Sequence, residues 1–152
     1  MANWTRIEAD FPPPGDDGTR TLDAPWMIAL KAIEDCDHLR IEADGEWKLL
    51  PNLDLTCGPD GRSDIPISND ALFVPSCPPG ALIGRIGGSS ADRTIDNAEA
   101  KVGAPIVIAI GKVCMVPLKD LPHGPVFIGI NIRPRPITIL RINLEIFGAT
   151  IG

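Results

Sequence analysis

Two stretches near the C-terminal end alternate between apolar positions and polar or small ones. Val126-Phe127-Ile128-Gly129-Ile130-Asn131-Ile132 sets Val126, Ile128, Ile130 and Ile132 on one side. Residues 138–147 set Leu140, Ile142, Leu144 and Ile146 on one side, and Arg141, Asn143 and Glu145 on the other. Successive side chains of a strand point to opposite faces, so each stretch predicts a strand with one buried and one wetter face. Arg133-Pro134-Arg135-Pro136 lies between them and predicts a break, because proline brings no donor to a ladder.

The same pattern continues upstream. Leu39, Ile41 and Ala43 alternate with Arg40 and Glu42; Asp44-Gly45 then reads as a turn that returns Trp47 to the core. Residues 81–86 predict a strand ending at Gly87-Gly88. Ile106-Val107-Ile108-Ala109-Ile110 is apolar on both faces, as a central or interface strand would be, and Gly111-Lys112 turns into Val113-Cys114-Met115-Val116. Residues 26–34 fit a short helix or a strand, and their place ahead of another strand favours the strand. The remainder reads as loop: residues 50–79, interrupted by Ala71-Leu72-Phe73-Val74, and a polar segment over 89–101. The expectation is an all-β fold, a jelly-roll-like β-sandwich of about eight strands over residues 26–152. Its predicted core holds Leu39, Ile41, Trp47, Leu82, Ile86, Ile108, Ile128, Ile130, Ile142 and Leu144.

Residues 1–25 read differently. Phe11-Pro12-Pro13-Pro14-Gly15-Asp16-Asp17-Gly18 favours an extended polyproline conformation followed by turns. Trp4, Ile7 and Phe11 give this segment apolar anchors, so the expectation is an extended arm lying across the sandwich or a neighbouring subunit.

Composition narrows the function classes. The 152 residues carry 16 prolines and 15 glycines, scattered between apolar runs, which suits short strands joined by turns. A net charge of −6 argues against nucleic acid or an anionic membrane as the main partner. Arg133, Arg135 and Arg141 form the one local basic patch of the sequence. No apolar stretch is long enough to cross a bilayer, and the first ten residues lack an apolar signal core, so cytoplasmic synthesis is expected. Cys36, Cys57, Cys77 and Cys114 show no close pairing of the zinc type; buried thiols are one reading, a Cys57–Cys77 disulfide another.

Catalytic motifs fail one by one. Gly84-Arg85-Ile86-Gly87-Gly88-Ser89-Ser90 lacks the lysine and following helix of a phosphate loop. Asp35-Cys36-Asp37-His38 could bind metal or pair a thiol with a base, but reads more simply as turn residues at a strand entrance; His123 stands far from it. No enzyme and no cofactor are expected.

The order of elements carries a resemblance. Leu39-x-Ile41-x-Ala43-x-Gly45-x-Trp47 is followed by Cys57-Gly58-Pro59-Asp60-Gly61, then by Cys77-Pro78-Pro79-Gly80-Ala81-Leu82-Ile83-Gly84-Arg85-Ile86-Gly87. Val102-Gly103, His123-Gly124-Pro125-Val126-Phe127-Ile128-Gly129-Ile130-Asn131 and a last strand complete the series. Over residues 27–148 this order resembles the PA-IL (LecA-like) family of galactophilic bacterial lectins, which implies a small jelly-roll-type sandwich. In those lectins calcium and sugar meet in a loop between the last two strands, where an asparagine and an acid are followed by a threonine and an asparagine pair. Here Asn131 matches the first asparagine, Ile132 falls where the acid belongs, and the residues through Pro136, Ile139 and Leu140 offer no asparagine pair. The chain has no tyrosine to supply the aromatic hydroxyl expected after Trp47. Arg133 and Arg135 would repel a divalent cation. The resemblance therefore implies an inherited fold with the calcium and galactose site lost.

What remains is interaction surface: Trp4, Phe11 and Pro12-Pro13-Pro14 of the arm, the Ile106–Ile110 run, and Arg133 and Arg135. The expected role is a non-catalytic structural or docking subunit of a homo-oligomer or larger assembly, such as a virion, surface layer or membrane-associated complex. A carbohydrate-binding module, using Trp4, Trp26 or Trp47 for stacking or the polar loop around Asn52, Asp54, Asp60, Asp64, Asn69 and Asp70, is the alternative.

Overall fold

The computed structural model describes residues 3–11, 14–33, 36–49, 55–65, 67–87, 106–119, 124–134 and 136–150. They form ten strands: β1 (Thr5–Ile7), β2 (Arg20–Leu22), β3 (Met27–Leu30), β4 (His38–Lys48), β5 (Thr56–Cys57), β6 (Leu82–Ile86), β7 (Ile106–Ala109), β8 (Val113–Pro117), β9 (Val126–Ile130) and β10 (Ile137–Ala149). Two antiparallel sheets result. In sheet A, the long strands β10 and β4 pair with each other; β1 and β2 flank β10, while β5 and β8 flank β4. Sheet B runs β3-β9-β6-β7. Among the described residues no helix is long and apolar enough to cross a membrane.

The apolar rows of both sheets meet in one core. Leu39, Ile41, Trp47, Leu144 and Ile146 of sheet A pack with Leu82, Ile86, Ile128 and Ile130 of sheet B. The arrangement is sandwich-like. Each such side chain contributes about 1.5–3 kcal/mol when fully removed from water. Ile108 and Ile142, also expected in the core, are half-buried and pack against it. Residues 27–30 are strand, as favoured from the sequence.

Several expectations change. Asp44-Gly45 is not a turn: β4 runs straight through it, and Gly45 pairs with Ile142. Glycine is required there by proximity, since a Cβ would stand 2.7 Å from the Arg141 carbonyl oxygen. That squeeze faces an irregularity in β10, where the register shifts between Ile139 and Arg141. A bulge inserts an extra residue and reverses the parity of the strand behind it. Ile137 and Ile139 therefore face the core, Leu140 is only half-buried, and the alternation from Ile142 to Ile146 holds as read.

The strand Ile106–Ala109, expected to be central or at an interface, pairs among the described residues with β6 alone. It is apolar on both faces because sheet B is covered on both. The described part of residues 1–25 is tied to sheet A: β1 pairs Thr5 with Gly148, and β2 pairs Leu22 with Ile137. The Asp10 N–H donates to the Ala29 carbonyl at 2.7 Å, and the Asp10 carboxylate accepts from the Lys31 N–H at 2.9 Å. Three-residue strands are too short for alternation to reveal them.

Candidate functional site

Three regions gather the residues with chemistry: the loop end beside Asn131, the outer face of sheet B and the outer face of sheet A.

At the loop end, Asn131 follows β9 and is fully buried. Its Oδ1 accepts from the Val74 N–H at 2.8 Å, and its Nδ2 donates towards the carbonyls of Val74 (3.0 Å), Cys77 (3.1 Å) and Pro78 (3.1 Å). Its backbone is committed as well, donating to Ala81 O and accepting from Gly80 N–H. The position that resembles the lectins' first calcium asparagine is thus a staple for residues 74–78. Ile132 is buried, and Ile139 and Leu140 belong to β10 rather than to a loop. Pro136 is exposed. Arg133 stacks over Phe73 with its guanidinium carbon 4.6 Å from the ring centre, and its N–H donates to Ala71 O at 2.7 Å. Arg135 lies outside the described residues.

Beneath this loop, Trp47 Nε1–H donates to the Gly80 carbonyl at 2.9 Å, and the Cys57 thiol approaches the same oxygen at 3.5 Å. Gly80 has φ +77°, and a Cβ would stand 2.5 Å from Cys57 Sγ. Burial pushes the Cys57 thiol up to about 11. Cys57 and Cys77 are both free thiols, so the disulfide reading does not hold.

The outer face of sheet B is closed. Trp26, Phe73, Ile83 and Phe127 form a second apolar layer there. Arg85 sits within it at 1% exposure, its guanidinium 5.4 Å from the Trp26 ring centre and 5.2 Å from that of Phe127. Arg85 Nε–H donates to Gly87 O at 3.0 Å, whereas Trp26 Nε1 is buried without an acceptor.

The outer face of sheet A is open. Arg40 of β4 lies between two rings, 5.0 Å from the centre of Trp4 and 4.6 Å from that of Phe147. Trp4 therefore has a partner within the chain, and so does Phe11, over which Arg20 stands at 5.4 Å. Desolvation lowers the Arg20 pKa from its ordinary value. Beside Arg40, β8 exposes Val113 (59%) and Met115 (56%), the exposed large hydrophobics among the described residues. Pro14 lines a cavity of about 140 Å³ with Gly18, Arg20, Ile139, Arg141 and Ile142, next to the β10 bulge. Arg141 itself pairs with Asp44 at 2.9 Å and holds that carboxyl below its usual range. The expected cluster of Arg133 with Arg141 is dispersed, one on Phe73 and one on Asp44. Pro12 and Pro13 lie outside the described residues.

Asp37 Oδ1 and His38 Nδ1 stand 2.7 Å apart at the start of β4; Asp35 and His123 are outside the described residues. Among the described residues, no three His, Cys, Asp or Glu side chains gather as a metal site would need. Of the loop aspartates, Asp64 pairs with Arg62 at 2.7 Å and is lowered by it, and Asp60 accepts from Lys112 N–H at 3.2 Å.

Sequence reading missed Val113, Met115, Arg40 and Arg85. The 113–116 run is apolar at every position, so alternation carries no sign of which side is wet. Arg85 is a lone charge in an apolar strand, and that was its only signal. Compared with family models, with curated proteins and with solved structures, the chain matches nothing.

Proposed function

We propose that this chain is a non-catalytic structural or docking subunit, built on a lectin-like sandwich of the jelly-roll sort, that acts through protein–protein contacts in a homo-oligomer or larger assembly. The observation that carries the reading is the exposed pair Val113 and Met115, set on an ordered sheet face beside the Trp4–Arg40–Phe147 stack. Apolar side chains left on such a face, rimmed by charge, are what a partner covers. The loop end supports the same reading from the other side: Asn131 spends its amide on the chain's own backbone and has little left for a cation that needs several oxygens.

The carbohydrate alternative draws less support. Trp26 and Trp47 are buried, and Trp4 is half-buried against Arg40. Two measurements test the proposal. Calorimetry with calcium and galactosides is expected to give only heat of dilution, and light scattering of the full chain is expected to give more than the monomer mass. A calcium-dependent heat, or a chain that stays monomeric and joins no other protein, overturns it. Deleting residues 1–25 is a poor test of assembly, because it strips β1 and β2 from β10.

A further inference from the structure

The outer face of sheet A carries two adjacent rows of unlike charge. One row crosses the sheet as Arg6, Phe147, Arg40 and Met115, which are successive cross-strand partners in β1, β10, β4 and β8. The next outward row is Glu145, Glu42 and Val113. Between them, Ile146, Ile41 and Cys114 turn inward. Each row ends on β8 in an exposed apolar side chain, and the two rows lie about 7 Å apart along the strands. One is basic, the other acidic.

We propose that this face is a two-fold interface with a second copy of the chain. The inference rests on the assembly reading above and names its surface. A two-fold axis lying along the rows, midway between them, sets the first row of one copy over the second row of the other. Arg40 then meets Glu42 of the second copy, and Met115 meets its Val113, each contact occurring twice as an isologous interface requires. Within one chain the Arg40–Glu42 contact is poorly made: Arg40 Nε and Glu42 Oε1 are 3.8 Å apart, and both side chains keep part of their surface in water. The stack on Trp4 and Phe147 holds the guanidinium at the surface, so little side-chain freedom is left to lose on association.

The test is the mass of the full chain against concentration, by sedimentation, for the wild type and charge-reversed variants, with circular dichroism showing that each retains its strands. A dimer is expected. R40E and E42R should each weaken it by about tenfold or more, and R40E/E42R should recover most of the loss, because opposite charges again face each other. M115E should weaken it without rescue by either charge change. A multimer that none of these variants alters overturns this interface and leaves the assembly reading standing on another surface. A wild-type chain that remains monomeric to its solubility limit overturns the interface, and with it the homo-oligomeric form of that reading. Failure of the double variant to recover, with its strands intact, also overturns the proposed pairing.

Discussion

The two outer faces of the sandwich use the same chemical unit for opposite ends. Each carries an arginine between two aromatic rings: Arg85 between Trp26 and Phe127 on sheet B, Arg40 between Trp4 and Phe147 on sheet A. Arg85 is enclosed by the apolar layer that Phe73, Ile83 and Phe127 form over sheet B. The Arg40 side chain keeps 30% of its surface in water, with Val113 and Met115 open beside it. An enclosed guanidinium must be compensated inside the fold, whereas a half-open one can take a partner from outside. The difference is one of cover. Sheet B is roofed in part by Phe73 and Val74 of its own chain, whereas Val113 and Met115 on β8 of sheet A stand exposed.

Removing the enclosed arginine should have the largest effect. Arg85→Ala takes the guanidinium from between its rings, leaves Gly87 O without that donor and opens a void in a buried layer. A loss of about 3 kcal/mol is expected in urea unfolding. Arg85→Met fills more of the space and should cost clearly less, since it leaves a smaller void in the layer. Equal losses for the two would mean that charge, not volume, holds the layer.

The roof itself comes next. Asn131→Ala removes the bonds that tie Val74, Cys77 and Pro78 to the end of β9. Several backbone groups lose their partner at once, so about 2–3 kcal/mol is expected. Hydrogen exchange should accelerate at residues 72–80, with Phe73 and Val74 loosening from the layer they help form. Unchanged protection of the Val74 amide would show that the loop is held by other means.

Arg40→Ala tests the open face. The ring contacts are partly solvated, so a loss of about 1 kcal/mol is expected in the monomer, well below the Arg85→Ala loss. An equal loss for the two arginines would break the contrast between the faces.

How much of this was legible in the sequence follows from the same physics. Alternation is informative where one face is wet and one dry. That condition holds for β4 and the middle of β10, and Leu39, Ile41 and Leu144 are buried as expected. It fails for sheet B, where both faces are covered and β7 reads as a central or interface strand, while among the described residues it pairs with β6 alone. The bulge at Ile139/Arg141 cannot be seen either, because one extra residue leaves no mark until the partner strand is in place. The loop at Asn131 was legible only through resemblance: motif order singled out the residue and its neighbours spoke against calcium, but the staple depends on backbone groups more than fifty residues upstream. For the surface of β8 there was no signal, since Val113 and Met115 look like core until neighbours are assigned.

The smallest effect belongs to the charges farther along the open face. Arg141 donates to Asp44 at 2.9 Å, and this hydrogen bond, with the charge behind it, holds the Asp44 carboxyl below its ordinary value. A carboxyl depressed in the folded state contributes stability above its unfolded pKa, near 3.9, and that contribution disappears as the pH falls through the folded value. The urea midpoint should therefore fall slightly more on acidification from about pH 6 to about pH 2 in the wild type than in Asp44→Asn. Both partners are exposed, so the difference should vanish at high salt, where the Debye length shrinks to about 3 Å at 1 M. The stability lost in Arg85→Ala should persist at the same salt, because an enclosed guanidinium is not reached by counter-ions. A salt-sensitive Arg85 effect would mean that the layer over sheet B is as open to solvent as the face of sheet A.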